Sequence, residues 1–216
     1  MINNISLILS ILVCLTGIVR FRKLTMPFKL LVALQIIDLL LTTVINKLVV
    51  SIYHTNALIS HIQALNSYIF YSLIYYFLFK NTYIKKFLLF SIIPITAFAF
   101  INAISIEPYN NTFPIYILMP TEILLVIYSL LLFRQMLLYP VQVNIVIQSV
   151  FWYNIAILFF SAIMFMNLGL MNYYSQHNLF KQFIVYFWYS AIIIFNLLLG
   201  IAILTDRKEE IAVNAQ

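Results

Sequence analysis

Apolar residues run along this chain in seven long stretches, at residues 2–19, 28–50, 62–79, 84–105, 113–133, 143–168 and 179–204. Each is close to the roughly 20 residues that a helix needs to cross the hydrocarbon of a bilayer. In lipid a continuous apolar run can satisfy its own backbone hydrogen bonds only as a helix. A membrane barrel would show short strands of alternating character, and the chain has none of that pattern. The pattern therefore predicts an all-α membrane protein, a seven-transmembrane-helix bundle over residues 1–205, with 206–216 as a short cytoplasmic tail. The connecting segments are short and rich in Asn, Pro and charge, and Pro94 predicts a kink inside the fourth stretch.

Charge gives this pattern a direction. Arg20, Arg22, Lys23, Lys29, Lys80, Lys85, Lys86, Arg134, Arg207 and Lys208 all fall on one side of the predicted bundle. That is ten of the 12 Lys and Arg residues, leaving Lys47 and Lys181 toward the other side. Basic residues near span ends stay in the cytoplasm. The amino terminus is therefore expected outside and the carboxyl terminus inside, in the cytoplasmic (inner) membrane of a cell. The net charge of +6 becomes a topology signal with affinity for anionic lipid, and nucleic acid is not an expected partner. Composition agrees, with 64% hydrophobic and 8% charged residues, against about 25% charged in a soluble domain. The one cysteine, Cys14, cannot close an internal disulfide and reads as packing. The first stretch lacks a basic leader and a small-residue cleavage site, so it is expected to be retained as a span. The tail is expected to be too short for a catalytic domain.

Ionisable groups inside the hydrocarbon are costly, about 2.5–3.5 kcal/mol each, and mark function by default. Two acids qualify, Asp38 and Glu122; Glu107, Asp206, Glu209 and Glu210 fall in a loop or the tail. In LQIIDLLLTTVINK, Gln35, Asp38, Thr42 and Asn46 recur at helical spacing and share one face. Such a stripe lines a ligand or ion site, or it is interhelical hydrogen-bond glue. Asp38 falls about 15 Å from the basic end at about 1.5 Å per residue, near the midplane. Glu122 follows Pro120, which either opens a helix that Glu122 caps or lies within a longer one. The stretch from Pro120 to Arg134 is too short to cross, so the helix is expected to begin earlier and to carry Glu122 on the face of Ser129. Asn154 and Asn196 are deep amides in the sixth and seventh stretches. Tyr189 shares a face with Asn196, and Tyr68, Tyr71 and Tyr75 form a stripe in the third. For the amides, tyrosines and Trp152 and Trp188, packing and interfacial anchoring is the plainer account. His54, His61 and His177 fall in outer loops. With Glu107 they could suggest a metal, but no ligand spacing supports one, and no metal or other cofactor is expected.

Several chemistries lack their residues. The seventh stretch has no lysine for covalent retinal, Lys181 being at its mouth. LFKNTYIKK replaces the Asp-Arg-Tyr of G-protein-coupled receptors, and no Asn-Pro-x-x-Tyr follows. Pro140-Val141-Gln142 is not the Pro-Gln pair of small sugar transporters. Zinc-protease and serine-hydrolase motifs and phosphate loops are missing, and three glycines exclude Gly-rich nucleotide binding. The chain is expected not to be an enzyme.

Four segments carry a resemblance: Asn66-Ser67-Tyr68, Thr121-Glu122-Ile123-Leu124-Leu125, Phe151-Trp152-Tyr153-Asn154, and Asn196-Leu197-Leu198-Leu199-Gly200-Ile201-Ala202. The chain resembles a group of small, mostly uncharacterised seven-transmembrane proteins of Bacteroidota, often encoded beside sensor histidine kinases. That group also carries an acid in span three and a histidine in span seven, where this chain has Ser72 and Trp188. The resemblance implies a sensory or accessory role and a sensor kinase or other signalling protein as partner. With the polar residues it gives the first expectation, a membrane sensor whose cavity is lined by Asp38, Glu122, Gln35, Thr42, Asn154 and Asn196. A small proton-coupled carrier using Asp38 is the alternative, with only a weak repeat between spans one to three and five to seven to favour it.

Overall fold

Every apolar stretch carries a helix, and the computed structural model shows where each ends. It describes residues 2–110, 112–139, 144–174 and 178–207, and among these all regular structure is helical. The long helices are α1 (Ile2–Arg20), α2 (Met26–Tyr53), α3 (Ala57–Leu78), α4 (Thr82–Ile106), α5 (Ile115–Leu138), α6 (Ser149–Tyr174) and α7 (Asn178–Thr205). Six of them are long and apolar enough to cross a membrane, which makes this a multi-pass membrane protein. The exception is α3, 22 residues long, whose run is interrupted by Ser60, His61, Gln63, Asn66 and Ser67.

The differences from the expected boundaries have local causes. The third helix starts at Ala57, earlier than the apolar run, because Ser60 and His61 interrupt the run without interrupting the helix. The sixth starts at Ser149, after a 3-10 turn at Ile145–Ile147; residues 140–143, with Pro140-Val141-Gln142, lie outside the described residues. Helix α5 begins at Ile115, so Pro120 sits within it. Glu107 supplies its start. The Glu107 carboxylate accepts the backbone N–H of Ile115 (3.0 Å) and Tyr116 (3.1 Å), two donors that a helix leaves orphaned. Asn102 Nδ2 donates to the same carboxylate at 2.8 Å. Glu107 is thus a structural cap.

Two helices contain π turns, at Leu41–Ile45 in α2 and Asn102–Ile106 in α4. The first follows a run of side-chain competition for carbonyls. Thr42 Oγ1 donates to the Asp38 carbonyl at 2.7 Å and Thr43 Oγ1 to that of Leu39 at 2.6 Å. The extra residue in the turn rotates everything beyond it, so the stripe from Gln35 does not extend straight to Asn46.

Helix α1 packs between α2 and α7, α6 between α5 and α7, and α3 lies against α2, α4 and α5. Nine of the 22 residues of α3 are buried, so its polar groups face protein instead of lipid. At the basic end, α1 and α2 approach closely. A Cβ on Gly17 would come within 2.5 Å of Val32, a fully buried side chain. Asp206 is no free tail residue. Its carboxylate accepts Thr25 N–H (2.7 Å), Thr25 Oγ1 (3.2 Å) and Ser149 Oγ (3.2 Å), tying the starts of α2 and α6 to the end of α7. Arg20 donates to its carbonyl at 3.0 Å. Burial pushes the Asp206 carboxyl above its ordinary range, and these donors and Arg20 oppose that shift.

Candidate functional site

The bundle is built differently in its two halves. Helices α2, α4 and α6 start at the basic end and α3, α5 and α7 at the other, so residue number gives depth along each helix. Toward the basic end the interior is crossed by hydrogen-bonded side chains. Tyr75 OH donates to Asn154 Oδ1 at 2.9 Å and Asn154 Nδ2 to the Ser129 carbonyl at 2.9 Å. With its one proton so used, Tyr75 accepts from the Ser129 hydroxyl. A second cluster joins α3, α4 and α5. Tyr68 OH donates to Ser91 Oγ (2.8 Å), which also meets Tyr128 OH at 2.9 Å, while Ser91 donates to the Leu88 carbonyl. The rings of Tyr75, Tyr128 and Tyr153 pack edgewise or tilted, with centroids 5.6–5.9 Å apart. This floor links α3, α4, α5 and α6, and Phe28 of α2 packs edge-to-face against its Tyr153.

Above the floor lies a cavity of about 480 Å³. Asp38 and Glu122 both line it, as do Gln35, Thr42 and Asn196. From there the lining rises past Tyr71, Thr121 and Ser161 to Asn56, Ser60, Phe113 and Trp188, at the ends of helices remote from the basic residues. The cavity is therefore a funnel reaching the midplane from the less basic face. Its rim carries an edge-to-face pair, Phe113 and Trp188, with centroids 6.4 Å apart.

The two carboxyls each line the cavity and keep an oxygen without a partner. Glu122 is 6% exposed, and its Oε2 has no hydrogen bond. Asp38 is half-buried, and its Oδ1 is likewise unpaired. Asn66 lies alongside Asp38, and Ser161 alongside Glu122. Tyr71 sits within electrostatic reach of both carboxyls, which places them around one side chain. A buried polar atom without a partner costs about 1–3 kcal/mol, so a fold that keeps two of them in one funnel leaves them open to a solute.

Of the residues singled out in the sequence, Gln35, Asp38, Thr42, Glu122 and Asn196 come together here. Asn154 does not. It is fully buried in the floor, because its face of α6 meets Tyr75 and Ser129, and it acts there as an interhelical tie. Asn46 is also off the cavity, displaced by the π turn. Tyr189 lines the cavity with Asn196, one turn of Ile192 between them, and the Asn196 amide donates to the Ile192 carbonyl at 3.0 Å. Trp188 lines the funnel, whereas the Trp152 indole donates to the Val146 carbonyl at 2.8 Å outside it. Ser72 is fully buried with an unpaired hydroxyl.

The three histidines expected in loops separate, and His61 is not in one, lying buried within α3 because the helix already starts at Ala57. His61 Nε2 lies 3.2 Å from the Thr112 carbonyl, and His54 ends α2 in the left-handed conformation, φ 57°. His177 lies outside the described residues, as do Glu209 and Glu210. Among the described residues no three His, Cys, Asp or Glu gather as metal ligands. Sequence reasoning missed the hydroxyls of Ser161 and Ser60 and the amide of Gln63, all of which line the funnel. Single polar residues in a long apolar helix give no periodic signal. No family model, curated protein or solved structure matches the chain.

Proposed function

We propose that the chain crosses a cytoplasmic (inner) membrane seven times, amino terminus outside, and works as a membrane-embedded sensor. A ligand or ion enters the funnel from the outer side and biases the packing of α2, α5 and α7. The change is handed on at the basic, cytoplasmic face to a separate signalling protein such as a sensor kinase. No reaction on the chain is part of this reading. The observation that carries it is a one-sided funnel with two unpaired carboxyl oxygens above a hydrogen-bonded floor. A pocket that reaches the midplane and stops suits reception at one face.

Other features support the topology. Helix α3 is shielded by α2, α4 and α5, so its polar outer turns need not face lipid, and at 22 residues it is long enough to span. The charge asymmetry supports the orientation. The resemblance to proteins encoded beside sensor histidine kinases supports the partner class.

The test is one-sided access and the lack of transport. In a Cys14→Ser background, Ser60→Cys at the funnel rim should react with a membrane-impermeant maleimide applied outside intact cells. A reporter that works only in the cytoplasm should be active when fused after Gln216; activity of a reporter needing the outer side breaks the orientation. In liposomes carrying a pH-sensitive dye, the purified protein should move no protons. The π turn beside Asp38 favours a second reading, a proton-coupled carrier, since such turns allow helices to change register. Proton flux that vanishes in Asp38→Asn would promote that carrier over the sensor.

A further inference from the structure

The funnel has a chemical bias beyond being polar. Its two carboxyls are joined by no Lys, Arg or His among the side chains described, a set that excludes His177 and Lys181. This is so although the chain holds 12 Lys and Arg against six Asp and Glu. Aromatic rings supply much of the wall, with Tyr71 within electrostatic reach of both carboxyls and Phe160, Trp188 and Tyr189 elsewhere in the lining. Ring faces attract cations, most strongly when desolvated. Glu122 is more than nine-tenths buried, lines the funnel and leaves Oε2 without a partner, so a donor is missing at that atom.

Resting on the sensor reading above, we infer that the funnel binds a small organic cation, an amine held between the Asp38 and Glu122 carboxyls and the aromatic wall. An ammonium supplies both what the carboxyls lack, hydrogen-bond donors and positive charge, and what the rings attract. An anion would meet two acids and, among the described side chains, no base. A neutral solute could hydrogen-bond the carboxyls but would bring no positive charge to them. A bare metal ion suits the space poorly. At about 480 Å³ the cavity is in the range of organic ligand pockets, about 300–1,000 Å³, and no three metal-ligating side chains gather among the described residues.

The experiment is isothermal titration of the full chain in detergent. Phenethylamine, choline and 1,5-diaminopentane are the cationic probes. 2-Phenylethanol and phenylacetate are neutral and anionic probes of the size of phenethylamine, and sodium and magnesium chlorides test inorganic cations. At least one amine should bind with one-to-one stoichiometry, and the alcohol and phenylacetate at least tenfold more weakly. Glu122→Gln and Asp38→Asn, which keep shape and remove charge, should each weaken the amine at least tenfold without changing helix content or thermal midpoint. Tighter binding of the alcohol, phenylacetate or metal salt, lost on mutation of Glu122, overturns the cation and leaves the funnel as a ligand site. Amine binding unchanged in the Asp38→Asn, Glu122→Gln double variant also overturns it. If no probe of any charge binds, both the cation and the sensor reading fall.

Discussion

The half of the bundle nearest the basic end and the half remote from it handle the same kind of residue in opposite ways. In the first, Tyr75, Ser129 and Asn154 bond to one another, and Tyr68, Ser91 and Tyr128 do likewise. In the second, Asp38 and Glu122 keep unpaired oxygens and line the funnel. Polar residues within a membrane thus divide by satisfaction and not by depth alone. Those with every group bonded hold helices together. Those left open beside the funnel are available to something that enters, whereas the unpaired hydroxyls of Ser72 and Tyr153 are fully enclosed and line no part of it.

Substitutions can break that contrast, and the largest effect should fall in the floor. Asn154→Leu removes the acceptor of Tyr75 and the donor to Ser129, leaving buried polar groups unmatched. Stability should fall by about 2 kcal/mol or more, read as a lower thermal midpoint in detergent and lower yield. An Asn154→Leu protein as stable as wild type would remove the floor's structural role.

Glycine offers the same substitution in each half. Gly17→Ala drives a Cβ against Val32 between α1 and α2 and should cost about 1–3 kcal/mol. Gly169→Ala, with nothing within 4 Å of the new atom, should be neutral or slightly stabilising through helix propensity. Equal thermal midpoints for the two would mean that the basic half is no more tightly packed than the other.

Tyr75→Phe keeps the ring contacts and deletes the hydroxyl shared by Ser129 and Asn154. Interhelical hydrogen bonds in membranes average about 0.6 kcal/mol, so a loss of about 1 kcal/mol is expected from chemical denaturation. By contrast Asp38→Asn and Glu122→Gln, whose outward oxygens bond nothing, should leave stability within about 0.5 kcal/mol of wild type. A larger loss on Glu122→Gln than on Tyr75→Phe would reassign Glu122 to the scaffold.

The smallest effect concerns Asp206, where the basic end closes. Its carboxyl is raised above the ordinary value in the folded protein by burial, against the opposing pull of Thr25, Ser149 and Arg20. Just above the ordinary carboxylate value, about 3.9, the folded state therefore binds more protons than the unfolded one. Stability from this group is full below that value and falls as pH rises through the raised one. Asp206→Asn, which does not titrate, should remove that slope. Thermal midpoints from about pH 4 upward should shift against wild type relative to the variant, and the reverse trend would refute the shift.

The sequence by itself determined the class of this protein. Run length and the scarcity of charge force apolar helices into lipid, and the clustering of basic residues sets an expected direction, because both depend on composition along one helix at a time. Periodicity also grouped Gln35 with Asp38 and Tyr189 with Asn196, since residues three, four or seven apart share a helix face whatever surrounds them. Only the tertiary structure decided what each face meets. Asn154 and Asn196 look alike as deep amides in apolar helices, yet Asn154 meets Tyr75, 79 residues away in the chain, while Asn196 borders the funnel. Asp206 reads as tail but is held by Thr25, 181 residues away, and Glu107 reads as loop but caps α5. Asn46 left its stripe because one π turn rotated the helix beyond it. Whether a polar group is satisfied depends on partners brought by other helices, and helical spacing carries no information about those.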